Sequence, residues 1–249
     1  MNKGEECSGC SLEHSGRSFG YDRLGNKPLS VNDIDKVKLV VWLEALGRRE
    51  AEQGLALVCD SRFVLEQWGF RAVPELQLMN DRSQIAFCSS IRCQPPKIKD
   101  KNYPIGEIRT IAEKQCRQYD ILPPSNIPIL MLGEKAQQLW FRQELLDEDK
   151  TDQRLGREIK GLMGRLGRVW EKDGRQWIFG PHPTFIMRQP QLIEHLHAVL
   201  RITLSVLKGT RDVLTVPHSG MLPENGNISI DLEYSPTSKE ITVNGLAWV

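Results

Sequence analysis

An α/β fold is predicted by three features of this sequence: a three-layer αβα sandwich around a central, mostly parallel four-stranded sheet, followed by a C-terminal β-hairpin. Short apolar runs alternate with longer amphipathic segments in the order strand, helix, strand, helix. Strands are expected at 38–43, 84–91, 127–132 and 177–179, where the stretches 39–43, 85–88, 129–132 and 177–179 are apolar at consecutive positions, the pattern of strands covered on both faces. Beyond Gly209 the pattern changes to alternating apolar and polar residues at 228–232 and 241–243, on either side of Ser235-Pro236-Thr237-Ser238. That is hairpin patterning.

Taken in order, the chain opens with Cys7 and Cys10 in a C-x-x-C and stays polar to about Asn32. The first strand, 38–43, ends at Glu44 and passes into the turn that starts a helix around Arg48 to Glu52. In open α/β sheets the crevice beyond the carboxyl ends of the strands holds the ligand. Glu44 therefore either faces that crevice or caps the following helix. Residues 62–68 read as a short helix, and 84–91, QIAFCSSI, as a second strand running into Arg92, Cys93 and the Pro95-Pro96 pair. Residues 97–101 form a basic loop, and 105–119 have helical spacing with Cys116 near the end. The third strand stops at Gly133, before an amphipathic helix at 134–146. The charged segment 147–174, with Arg154, Arg157, Lys160, Arg165 and Arg168, reads as a glycine-interrupted helical pattern. Its arginines form either a solvated face or a phosphate-contacting one. The fourth strand leads into Pro181-His182-Pro183, and 190–207 is a long amphipathic helix.

The 249 residues suffice for one large α/β domain with appendages, here 1–208 followed by an extension at 209–249. A formal charge of +1 neither demands nor forbids nucleic acid, because a local basic patch binds phosphate on a neutral protein. With no run of about eighteen apolar residues and a polar start, MNKGEECSGC, the expectation is a soluble cytoplasmic protein without a membrane partner. In that compartment the six cysteines are buried apolar side chains, metal ligands or nucleophiles before they are disulfides. Cys7, Cys10, Cys93 and Cys116 offer four thiolates in two pairs, a donor set that suits zinc or an iron-sulfur cluster. Four unrelated reduced cysteines remain the plain alternative. Cys59 and Cys88 lie in apolar contexts and read as core.

Four separated motifs, in order over about residues 5 to 207, resemble the uracil-DNA glycosylase superfamily, most closely its iron-sulfur branch of family-four and family-five enzymes with their phage and bacterial relatives. CSGCSLEHSGRSF is similar to the family's N-terminal C-x-x-C opening, and VVWLEALGRREAEQG resembles its first active-site motif, a strand ending in G-E-A-P-G with an acidic residue downstream. SSIRCQPP resembles the strand, cysteine and proline segment, and FGPHPTFIMRQPQ the second active-site motif, H-P-x-x-x-x-R. The resemblance implies a structural four-iron, four-sulfur cluster on Cys7, Cys10, Cys93 and Cys116, with zinc as the alternative. It also implies a monomeric, monofunctional DNA glycosylase whose partner is DNA.

Residue by residue, the resemblance gives His182 the role of donor to the departing base. Glu44 becomes the carboxylate near the sugar, and Glu50 the second acidic position, which holds the first loop. Ala45 falls in the substrate-binding part of the first motif. Phe185, with Ile186 and Met187, falls on the loop that presses into the minor groove, and Arg188 beside it can hold a phosphate. The departures fall on specificity positions. Leu43 and Leu46 replace the motif's Gly and Pro, Leu57 stands where an aromatic residue stacks on uracil, and Ser89 stands where an Asn reads the uracil edge. Without a stacking face and a bidentate amide, the implied substrate is a bulkier base, such as a modified phage pyrimidine, and the enzyme an antiphage or repair glycosylase. The alternative is a catalytically inactive fold that serves as a nucleic-acid-binding or partner-binding module.

Overall fold

The computed structural model describes residues 36–53, 57–58, 60–95, 106, 110, 116, 123–155 and 161–210, with the backbone alone of 228–235 and 240–248. Cys7, Cys10 and Cys59 lie outside these residues, as do the basic loop at 97–101, Arg157 and Lys160.

Strand β1 (Leu39–Ala45) sits inside a five-stranded sheet, between β2 (Ile85–Ile91) and β3 (Ile129–Leu132). Next to β3 lies β5 (Arg175–Gly180), and at the edge β4 (Val169–Lys172). The first four of these run parallel, and β4 is antiparallel to β5. The fifth strand corrects the expectation of four. It lies in the charged stretch read from sequence as helical, because an edge strand carries charge and need not be apolar on both faces. Its burial alternates, with Val169 exposed and Trp170 turned toward the core. Asp173 and Gly174, at φ +54° and +68°, close the β4–β5 hairpin. An Asp-Gly pair with both residues left-handed is the type I′ turn that matches strand twist, and it was the sequence signal for this strand.

Each face of the sheet carries a buried cluster, because successive side chains of a strand point to opposite faces. Leu39, Val41 and Leu43 face one cluster, with Leu196, Val199 and Leu200 of α7 (Ile193–Lys208). The spacing of Leu196, Val199, Leu200 and Thr203 makes one buried helical stripe. Val40 and Trp42 face the other cluster, with Trp140 and Phe141 of α4 (Glu134–Arg154) and with Trp177 and Phe179 of β5. Here the indoles of Trp42 and Trp140 both donate to Ser90 Oγ, at 2.8 and 3.0 Å, and Ser90 Oγ in turn donates to the Leu43 carbonyl at 3.2 Å. One serine thus satisfies two buried donors that the cluster would otherwise strand.

Helix α4 runs further than the sequence suggested, to Arg154, and the short helix expected at 62–68 is part of a longer helical run. Helix α2 (Asp60–Phe63) continues through a π-helical turn at Val64–Gly69 into a 3-10 turn at Phe70–Ala72. Helix α3 (Pro74–Asp81) follows, with proline at its first position and Glu75 in its first turn. Between α4 and β4 lies the short α5 (Leu162–Arg165). Its Arg165 is buried, pairing with Glu148 at 3.1 Å and with Asp149, while Arg168 also pairs with Glu148. Both arginines tie α4 to the segment before β4; Arg165 does so from a buried position, whereas Arg168 and Arg154 are exposed. At the C-terminal end, β6 (Ile228–Ser235) and β7 (Glu240–Trp248) form the expected antiparallel pair. Among the described residues no helix is long and apolar enough to cross a membrane.

Candidate active site

The order β2-β1-β3 places the topological switch point at β1, since the chain leaves β1 in one direction to β2 and returns past it to β3. Ligands bind outside the carboxyl ends of strands at such a point. A cavity of about 530 Å³ opens there, lined by Glu44 and Ala45 from the end of β1, Lys135 from the start of α4, and His182 beyond β5. Asp60 and Ser61 of α2, Gln94 and Pro95 beyond β2, and Thr184 and Met187 also line it.

His182 is the N-cap of α6 (Pro183–Arg188). Its Nδ1 accepts the backbone N–H of Thr184 at 3.1 Å, the bond a capping side chain makes to an otherwise unpaired helix donor. With Nδ1 occupied as acceptor, the proton of the neutral ring resides on Nε2. Burial, reinforced by the positive charges of Arg188 and Lys135, lowers its pKa to about 4. At neutral pH the ring is therefore an uncharged Nε2–H donor. Behind it stands Gly133, where a Cβ would lie 3.2 Å from that of His182 and where φ is +96°. Both constraints require glycine, and the Gly133 N–H donates to the Gly180 carbonyl at 2.9 Å, tying the ends of β3 and β5 together.

Glu44 is half-buried, and burial raises its pKa, while Lys135 pulls it the other way from 3.6 Å. Glu50 has a different task. One of its carboxylate oxygens accepts the N–H of Gly47, the residue before α1 (Arg48–Gln53), and the other accepts the N–H of Leu57 at 2.8 Å. The first is the reach-back half of a capping box. The second holds Leu57 at φ +49°, a left-handed conformation that costs a leucine about 1–2 kcal/mol. Glu50 thus shapes the loop that follows Glu44 and carries Leu46 into the cavity wall. Ser61 Oγ and Thr184 Oγ1, 3.0 Å apart, link α2 to α6 across the cavity.

Glu44, Ala45, Glu50 and His182, four of the residues singled out from the sequence, meet at this one cavity. Leu57 instead packs in the cluster shared by Leu43 and α7, and Ser89 is buried in β2; neither is among the lining residues. Phe185 is half-buried on α6, Ile186 is fully buried, and Met187 is the exposed apolar side chain at the cavity. The segment is thus a helix with one apolar residue at the cavity, not a loop presenting three. Arg188 is exposed and acts on His182 through its charge. Cys93 is buried in the Trp42 cluster, and Cys116 packs against the same cluster, as does Ala45. Sequence reasoning missed Gly133, Lys135, Ser61 and Thr184. Only Gly133 had a signal, as the residue between an apolar strand and a helix.

No protein-family model matches the chain, and no curated protein matches it either. The chemistry at the switch point is therefore the ground for a functional reading.

Proposed function

We propose that the protein is a DNA glycosylase that hydrolyses the N-glycosidic bond of an everted, bulky or modified base and leaves an abasic site. The observation that carries the reading is a half-buried carboxylate, Glu44, and a neutral imidazole donor, His182, lining one cavity. The carboxyl-end crevice in which they lie is where an α/β fold takes its ligand. A cavity of about 530 Å³ is in the range of small-ligand sites.

An everted base enters the cavity at an unstacking cost of a few kcal/mol. As the bond between the sugar C1′ and the base nitrogen breaks, positive charge grows on the sugar and negative charge on the base. His182 Nε2–H donates to a carbonyl oxygen of the leaving base, a contribution of about 3 kcal/mol for one such donor. A positively charged imidazole would lose this proton more readily, and the low pKa keeps the ring neutral and fixed. Ionised Glu44 offsets the charge at C1′ and accepts a proton from the water that adds there. With Leu57 and Ser89 withdrawn from the lining, contact with the base falls to the hydroxyls of Ser61 and Thr184, the Gln94 amide and Met187. Those groups present no aromatic face to stack on uracil, and the volume of about 530 Å³ leaves room for a base carrying a substituent.

Cys93 belongs to the Trp42 cluster and Cys116 packs against it, which supports a site shared by these two thiols. With Cys7 and Cys10 they would hold four iron and four sulfur atoms. Such a group would supply a structural cross-link, tying Cys7 and Cys10 to Cys93 and Cys116. Purified protein should show the broad visible absorption of thiolate-bound iron and lose it in Cys93→Ala; a colourless protein containing zinc would assign the site to zinc instead.

The function is tested by incubating the protein with DNAs carrying uracil, hypoxanthine, oxidised bases, and hydroxymethylated or glycosylated pyrimidines. Abasic sites are expected with the bulky pyrimidines. Their absence from every DNA would leave a binding module.

A further inference from the structure

We infer that Lys135 is a positioning residue for Glu44: its ammonium group holds the carboxylate in place over the cavity and in its charged form. The inference rests on the glycosylase reading for its catalytic meaning, though not for its test. Lys135 Nζ lies 3.6 Å from Glu44 Oε1, and both side chains line the cavity. The approach follows from the local fold. Gly133, left-handed and pressed against His182, turns the chain sharply at the end of β3. Helix α4 then begins at Glu134, so the next side chain hangs over the end of β1.

A lysine in the first turn of a helix is a local contradiction. The helix dipole disfavours a cation at the N-terminus, and a residue that breaks a local rule without a local gain points to a site. The gain is found across the cavity. Burial pushes Glu44 toward its neutral form, and the charge of Lys135 is the opposing influence. A protonated Glu44 could neither accept a proton from water nor offset positive charge on a sugar.

Other charged groups face the same space: Arg48, Arg49 and Glu50 from α1, Asp60 from α2, and the uncharged His182. Of these, Arg48 is paired with Glu52 at 2.9 Å, and the Glu50 carboxylate is held by two backbone N–H groups. Lys135 is the side chain paired with Glu44.

The test reads Glu44 directly and needs no substrate. In full-length protein carrying carboxyl-labelled glutamate, the Glu44 carbon resonance is assigned by its loss in Glu44→Gln and followed through a pH titration. Lys135→Met should raise its midpoint by about one pH unit, and Lys135→Arg should leave it near the wild-type value. An unchanged midpoint in Lys135→Met, in protein with a wild-type melting profile, overturns the inference. If Lys135→Met melts early, Lys135→Gln is titrated in its place and read by the same criterion. Where a DNA substrate is cleaved, the acid limb of the rate profile should move upward with the titration. A shifted titration with no cleavage of any DNA would keep the positioning role and sink the glycosylase reading.

Discussion

The Nδ1 atom of His182 cannot both accept the Thr184 N–H and carry a proton, and this restriction governs the site at the scale of single residues. Protonating the folded protein would break the cap and place a second proton on a ring already close to Arg188 and Lys135. The unfolded chain has no such obstacle and takes up the proton below its ordinary pKa of 6.5, whereas the folded protein resists until about 4. Where the unfolded state binds more protons, stability falls with falling pH. The contribution is therefore complete above pH 6.5, lost as pH drops toward 4, and unchanged below that. Its size is on the order of 3 kcal/mol. Denaturant titrations at pH 7 and pH 4.5 should show His182→Asn, which can keep the cap, losing less stability between the two than wild type. Equal losses would mean that His182 is protonated in the fold.

At the scale of elements, the loop after β1 is held by one side chain. Glu50→Ala removes the acceptor for both Gly47 and Leu57 and should lower the unfolding free energy by about 1–3 kcal/mol, read as a shift in the denaturant midpoint. A change within error would show that the loop keeps its shape without Glu50. What was legible in the sequence follows the same division by element. Strands β1, β2 and β3 were readable because they are largely buried on both faces, so each carries a continuous apolar stretch of at least four residues. Strand β4 was not, because an edge position lets Val169, Glu171 and Lys172 mix apolar and charged residues, and only its Asp-Gly turn announced it. The π-helical turn at Val64–Gly69 has no sequence signature of its own; it arises where Val64, Leu65 and Gly69 are buried together. Glu44 and His182 were legible because each stands next to a strand end, where residue type and position argue the same way. Lys135 was hidden, since nothing in EKAQQLW distinguishes a lysine that reaches a cavity from one that faces water. Leu57 was misleading for a related reason: its left-handed backbone, fixed by Glu50 from seven residues away, sends it into the core and leaves Val58 at the cavity.

Across the whole molecule, one sheet brings together side chains far apart in sequence. Register makes this possible: Trp42 of β1 pairs with Met131 of β3, and Met131 with Phe179 of β5, so the three strands end at nearly one level. At or just beyond those ends stand Glu44, Lys135 and His182. The aromatic cluster beneath, with Trp42, Trp140 and Trp177 in contact, supplies the rigid floor on which the three loops stand. A rigid scaffold presenting loops at one end is how folds of this class hold reacting groups in register. In the proposed function, Glu44 and His182 act on one bond from within this cavity. Single-turnover release of a bulky modified base from DNA, measured alongside DNA binding, tests it most directly. Glu44→Gln should slow release by roughly 100-fold to 10,000-fold, and His182→Ala by about 100-fold or more, with binding retained in both. Wild-type release rates in either variant would contradict the account.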